Sequence, residues 1–183
     1  MIEIKFYGRG GQGAVIASQI LAKVFFSMGK YPQCFSLFGG ERRGAPVASF
    51  LRVDDKKILL KCEIARPDEV IFMAPDLVDE KEIDAILKPG GLILINNALT
   101  TNEFKGLRKF RLALVDALSI SEDLGLGTMI NTAMLGAYAK ASNAVPMEYL
   151  EKAIKETVPA RVEENIAAAR RAYELTRLFT EAQ

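Results

Sequence analysis

Residues 2–28 read IEIKFYGRGGQGAVIASQILAKVFFSM, and three patterns succeed one another within them. Ile2, Ile4 and Phe6 alternate with polar neighbours, the period of a strand with one buried face. Gly8, Gly10, Gly11 and Gly13 then crowd the turn. From residue 14 to 28 the apolar side chains Ile16, Ile20, Leu21, Val24 and Phe25 fall at helical spacing, and Gly29 follows as a helix stop. Strand, glycine-rich turn and helix in succession open an α/β fold. The G-x-G-x-x-G at the turn lets backbone N–H groups approach a phosphate at a helix N-terminus. A tight turn that needs glycine only for packing has the same pattern.

Outward from this unit, residues 31–37 read as a second strand and FGGERRG at 38–44 as a loop. Residues 47–53 and 57–62 flank Asp54-Asp55 and read as an antiparallel hairpin. Alternation of the βα kind resumes after Pro67: a strand at 70–73, a helix at 77–87, a strand at 91–95 ending on Asn96-Asn97, and a last strand at 111–115. Helical patterns follow at 131–141, 147–155 and 161–179. No repeat, linker or break in composition divides the 183 residues, so one domain spanning 1–183 is expected. The fold class is α/β: a three-layer, Rossmann-like mixed sheet, mostly parallel, with an inserted antiparallel hairpin and a helical C-terminal third.

Composition narrows the function. Lys and Arg number 24 against 23 Asp and Glu, without the basic excess that phosphate neutralisation demands of a nucleic-acid binder. Apolar runs such as Leu92-Ile93-Leu94-Ile95 are far too short to cross a bilayer, and no signal-like leader precedes the first strand. A cytoplasmic protein is expected, without membrane or nucleic-acid partners. There is no His, which removes the commonest general base and the imidazole metal ligand. Two cysteines, Cys34 and Cys62, cannot supply the four thiolates of an iron–sulfur cluster and read as reduced core residues. If the chain serves redox chemistry, the electron carriers sit on another polypeptide.

A nicotinamide site would place a carboxylate at the end of the second strand to hold the ribose, yet Tyr31-Pro32-Gln33-Cys34-Phe35-Ser36-Leu37 has none. NAD is disfavoured. Arg42 and Arg43 lie just beyond, in Gly39-Gly40-Glu41-Arg42-Arg43-Gly44-Ala45-Pro46, and their planar forks suit a phosphate. A ligand with a pyrophosphate and a further phosphate fits both loops, whether NADP or coenzyme A. A solvated charged loop is the plainer alternative.

GRGGQGAVIASQILA (8–22), FGGERRGAPVASFLRV (38–53), LILINNA (92–98) and NTAMLGA (131–137) occur in this order. Together they resemble the gamma subunit of the 2-oxoacid:ferredoxin oxidoreductases, which act on pyruvate, 2-ketoisovalerate, indolepyruvate or 2-oxoglutarate, and the likeness extends to about residue 180. It implies a share in the oxidative decarboxylation of a 2-oxoacid to an acyl-CoA with reduction of ferredoxin. Thiamine diphosphate and iron–sulfur clusters would be held by partner subunits of alpha, beta and delta type, and this chain would contribute coenzyme A binding and assembly. Carried over to this sequence, Gly8, Gly10, Gly11 and Gly13 would form a backbone cradle for a CoA phosphate, with Arg9 and Gln12 as side-chain donors. Arg42 and Arg43 would neutralise phosphate or lock against the partners. Asn96, after a strand, would reach the same cleft or simply form a turn, and Asn131, opening a helix, would cap it or touch the ligand. None would do covalent chemistry. A stand-alone NADP-dependent reductase and a purely structural subunit are the alternatives. Tyr138-Ala139-Lys140 lacks the Tyr-x-x-x-Lys spacing that such a reductase might use.

Overall fold

A computed structural model describes residues 1–38, 44–60, 62–98 and 104–179. Its elements in chain order are β1 (Ile2–Arg9), α1 (Ala14–Ser27), β2 (Tyr31–Phe38), β3 (Pro46–Asp54), β4 (Glu69–Phe72), α2 (Glu80–Ile86), β5 (Leu92–Asn96), β6 (Arg111–Val115), α3 (Ala117–Asp123), α4 (Asn131–Ser142), α5 (Met147–Thr157), α6 (Val162–Leu175) and β7 (Arg177–Phe179). Short 3₁₀ turns occupy Pro75–Leu77 and Lys105–Leu107. The strands form one sheet in the order β2-β3-β1-β4-β5-β6-β7. The β1–β4, β4–β5 and β5–β6 pairs are parallel, whereas β1–β3, β2–β3 and β6–β7 are antiparallel.

Period-two alternation sorts the strand residues onto two buried faces. Ile4, Phe6, Ile71, Leu92, Leu94, Ala113 and Val115 enter the larger core with α1, α3, α4, α5 and α6. Val70, Phe72, Ile93, Ile95, Leu112 and Leu114 face the smaller core under α2 and the Lys105–Leu107 turn. Burial on both faces explains the continuous apolar runs of β4, β5 and β6. The α/β class and the helical C-terminal region expected from sequence are both present.

Helix α1 ends as its sequence dictates. Gly29 takes φ +80°, its N–H donates to Phe26 O at 2.9 Å, and Lys30 N–H donates to Phe25 O at 3.0 Å. These are the paired bonds of a Schellman stop. Helix α4 is buried nearly all round, from Asn131 through Ala139. At Gly136 it meets α6 so closely that a Cβ there would lie 1.9 Å from Ala169 O.

The hairpin differs from expectation. The partner of β3 is β2, paired from Tyr31↔Asp54 to Phe38↔Val47, and residues 57–60 and 62 form no strand. The returning chain meets β3 through a side chain instead of a ladder. Arg52, fully buried, donates from Nη1 to Cys62 O at 2.7 Å, from Nη2 to Glu63 O at 3.2 Å, and from Nε to Glu3 Oε1 at 3.0 Å. Lys88 binds the same Glu3 and also Asp68. The C-terminal helix expected to reach residue 179 stops at Leu175, and β7 turns back onto β6 through Leu112↔Phe179, Ala113↔Leu178 and Leu114↔Arg177. Helix α3 lies where no element was expected. Among the described residues no helix is long and apolar enough to cross a membrane.

Candidate functional site

The carboxyl ends of β1 and β5 open on a cleft of about 520 Å³ lined by Gly10, Gly11, Gln12, Asn96, Leu118, Thr128, Met129 and Ile130. This is the sheet edge where α/β folds bind ligands. Two helices start beside it: α1 just after Gln12 and α4 just after Ile130. Gly13, at the N-cap of α1, has φ +83° and no capping side chain. The first-turn amides of a helix have no acceptor of their own and carry its positive dipole end.

Each glycine has its own reason. Gly11 adopts φ +101° and Gly13 φ +83°, conformations that cost a side chain roughly 1–2 kcal/mol. At Gly13 a Cβ would also sit 3.0 Å from Asn131 Nδ2, so the starts of α1 and α4 touch there. Gly8 needs closeness instead: its Cβ would fall 3.1 Å from that of Ala14. Gly10 is fastened to the entry of β3. Its N–H donates to Ala45 O at 3.0 Å, and its carbonyl accepts Gly44 N–H at 3.2 Å.

The polar side chains expected as donors are engaged within the chain. Gln12 accepts Arg9 N–H on Oε1 at 2.8 Å and reaches Met73 O with Nε2 at 3.4 Å. Arg9 donates from Nε to Asp76 Oδ2 at 3.0 Å, from Nη2 to the same oxygen, and from Nη1 to Gly44 O at 2.8 Å. These hydrogen bonds hold the Asp76 carboxyl below the usual carboxylate range and raise Arg9 above its own.

Asn96 lines the cleft but also ties two elements together. Its Nδ2 donates to Met73 O at 3.1 Å and its Oδ1 accepts Ala117 N–H at 3.0 Å. Asn131 is the first residue of α4, whose N-cap is Ile130; its Oδ1 accepts Thr132 N–H at 2.9 Å. The cap expected of Asn131 is therefore one residue earlier, and Asn131 serves as the neighbour of Gly13. The structure thus gathers Gly8 to Gly13, Asn96 and Asn131 around one edge. Arg42 and Arg43 lie outside the described residues.

Leu118, Thr128, Met129 and Ile130 escaped the sequence reading. A signal for them exists in Gly125-Leu126-Gly127 ahead of α4, where both glycines have positive φ. Asp76 carried no signal, because its partner Arg9 is 67 residues away in sequence. Neither cysteine is the core residue expected from sequence: Cys34, half-buried, donates to Ser18 Oγ at 3.1 Å between β2 and α1, and Cys62 is exposed. Among the described residues no group of three or more His, Cys, Asp or Glu is placed to hold a metal ion.

Residues 3–175 match the model of the pyruvate ferredoxin/flavodoxin oxidoreductase family. The chain belongs to this family. Within it, the chain is similar to the common gamma subunit of the pyruvate/ketoisovalerate oxidoreductases of Thermococcus litoralis, with 48% identity over 98% of this chain and 99% of that one. It is also similar to the pyruvate synthase subunit PorC of Methanothermobacter thermautotrophicus, with 44% identity over 95% of each chain. The crystal structure of the pyruvate oxidoreductase subunit PORC from Thermotoga maritima superposes with a TM-score of 0.81 at 32% identity, covering 97% of both chains. Gamma-type membership of the pyruvate ferredoxin/flavodoxin oxidoreductase family makes this chain one subunit of an enzyme assembled from several.

Proposed function

We propose that this gamma subunit binds coenzyme A for the acyl-transfer half of a 2-oxoacid:ferredoxin oxidoreductase and helps hold the complex together. One observation supports this above the others. The cleft lined by Gly10, Gly11 and Gln12 lies at the sheet edge just ahead of the start of α1, with no carboxylate among its described lining residues. Such a cradle suits a pyrophosphate. Gly8, Gly10, Gly11 and Gly13 shape the backbone, and Arg42 and Arg43 supply charge to the phosphates or to a partner chain. Arg9 and Gln12 keep the loop in form, and Asn96 and Asn131 fix the two far walls. Leu118 and Met129 offer apolar contact to a ligand arm leaving the phosphates.

The chain's own share is binding and positioning. Decarboxylation of a 2-oxoacid requires an electron sink that ordinary side chains do not provide, so thiamine diphosphate and iron–sulfur clusters are assigned to alpha-, beta- and delta-type partners. Ferredoxin then meets those partners and reaches this chain only through them.

The test uses the reconstituted complex in two assays, CoA-dependent turnover and CoA-independent release of labelled carbon dioxide. Loss of a charge-assisted phosphate contact is worth roughly 1.5–3 kcal/mol, so Arg42→Ala or Arg43→Ala raises the apparent CoA constant about 10- to 100-fold. The first assay suffers out of proportion to the second. A normal CoA constant in assembled variants refutes the phosphate role, and failure to associate assigns the two arginines to the subunit interface. A thermal shift with NADPH but none with CoA would favour a reductase.

A further inference from the structure

We infer that Asp76 is a positioning residue for this site, holding the Arg9 guanidinium so that it fastens the entry of β3 to the glycine loop. The functional consequence rests on the coenzyme A assignment above; the clamp itself does not.

Three chain segments meet at one guanidinium. Arg9 ends β1, Asp76 sits in the 3₁₀ turn after β4, and Gly44 precedes β3. Both Nε and Nη2 of Arg9 converge on Asp76 Oδ2, which fixes the plane of the fork and leaves Nη1 aimed at Gly44 O, 2.8 Å away. Below this contact the backbones already pair: Gly10 N–H to Ala45 O and Gly44 N–H to Gly10 O carry the β1–β3 ladder beyond its last partners, Arg9 and Pro46. Gly10 is also a lining residue of the cleft, so the clamp acts on the wall of the site.

Asp76 is on a firm mount. Met73 and Ala74 just before it are buried, and Leu77 N–H to Ala74 O and Val78 N–H to Pro75 O close its turn. The Asp76 side chain itself is 56% exposed, and that of Arg9 37%. Exposed ion pairs contribute little to global stability. What this one supplies is direction, because an arginine without Asp76 samples many rotamers besides the one that sets Nη1 against Gly44 O.

A competing physical role makes the opposite prediction. A carboxylate beside an anion cleft could instead occupy a guanidinium that a phosphate needs, and removing it would then tighten binding.

Amide hydrogen exchange on the full chain tests the clamp without any ligand. Asp76→Ala and Arg9→Ala are each expected to speed exchange at Gly10 and Gly44 roughly two- to fivefold, while Ala17 in α1 is unmoved. The double variant should exchange no faster than either single one, and Asp76→Glu should restore much of the protection. Unchanged exchange at both glycines in Asp76→Ala overturns the inference. In the reconstituted complex Asp76→Ala is expected to raise the KM for CoA by a similar factor while kcat holds. A fall in that KM would make Asp76 a competing anion and likewise overturn it. Faster exchange with a CoA constant unmoved in Asp76→Ala, Arg42→Ala and Arg43→Ala alike would support the clamp and refute the coenzyme A assignment instead.

Discussion

Replacing Gly136 by alanine should weaken the fold although alanine is the better helix former. In an ordinary helix interior the change stabilises by roughly 0.5–1 kcal/mol. Here the new Cβ would stand 1.9 Å from Ala169 O, 2.6 Å from its carbonyl carbon and 2.7 Å from its Cα. All three are backbone atoms of α6, so no rotamer change relieves the clash. The two helices must part by more than an ångström, and that gap opens the contacts of Ala133, Ala137, Ala168 and Ala172, all fully buried. Overpacking typically costs 1–3 kcal/mol, and a contact against backbone belongs at or beyond the upper end. Less the propensity gain, the net loss is about 2–3 kcal/mol. For a chain of this length each kcal/mol moves Tm by roughly 2–4 °C, so Gly136→Ala should melt about 4–12 °C lower by calorimetry or circular dichroism. Ala169→Gly should fail to rescue it, because the atom struck is the carbonyl oxygen and not the methyl group. A melting temperature equal to or above wild type would refute the packing argument, and rescue by Ala169→Gly would relocate the clash to the side chain.

Glu69→Gln should flatten the pH dependence of stability. Burial pushes the Glu69 carboxyl up, while the Tyr138 hydroxyl bonded to its Oε2 at 2.6 Å pulls it down less strongly. A carboxyl raised on folding contributes stability that is fully present below its unfolded pKa of about 4.3 and is lost as pH rises through the folded value. Denaturant melts from pH 5 to 8 should therefore show the variant gaining on wild type as pH increases; parallel curves would discount Glu69. Arg52→Ala should cost about 3 kcal/mol, read from the urea midpoint. It strands two carbonyls and leaves Glu3, among the described residues, paired with Lys88. A loss below about 1 kcal/mol would mean water replaces the guanidinium readily.

The opening unit was legible because its signals are local. Strand period, glycine turn, helical spacing and the Gly29 stop all act within a few residues, and each is found in place. The hairpin was assigned the wrong second strand for a tertiary reason. Asp54-Asp55 resembles a turn, but Arg52 captures the returning chain by its carbonyls, and β3 spends its ladder on β2 and β1. Helix α3, not expected from the sequence, does carry a capping residue: Asp116 accepts Ser119 N–H at 3.0 Å, and Asp is a favoured N-cap type. Strand β7 had no such local sign, since three residues at the end of an Ala-rich run become a strand only because β6 offers an edge. In the site, the glycines and Asn96 were legible as a group. Asp76 was not, because it joins the glycine loop across 67 residues of chain, and the wall from Thr128 to Ile130 carried only the glycines at 125 and 127 as a sign, with nothing local to tie it to the loop.

The sheet order also bears on how the chain is made. β1, α1, β2 and β3 lie within residues 2–54, and the ladders among these strands are internal to that stretch. At a synthesis rate of about 5–20 residues per second, this antiparallel unit has its internal strand partners, all but the β4 neighbour of β1, seconds before β6 or α4 leaves the ribosome. The glycine turn can then be shaped early, while its opposite wall, from Leu118 to Ile130, is still being translated. A nascent chain stalled after β3 would hold the Gly10 and Ala45 pairing but not yet Met73 or Asp76, the partners of Gln12 and Arg9, and ligand competence would be among the last properties the subunit acquires.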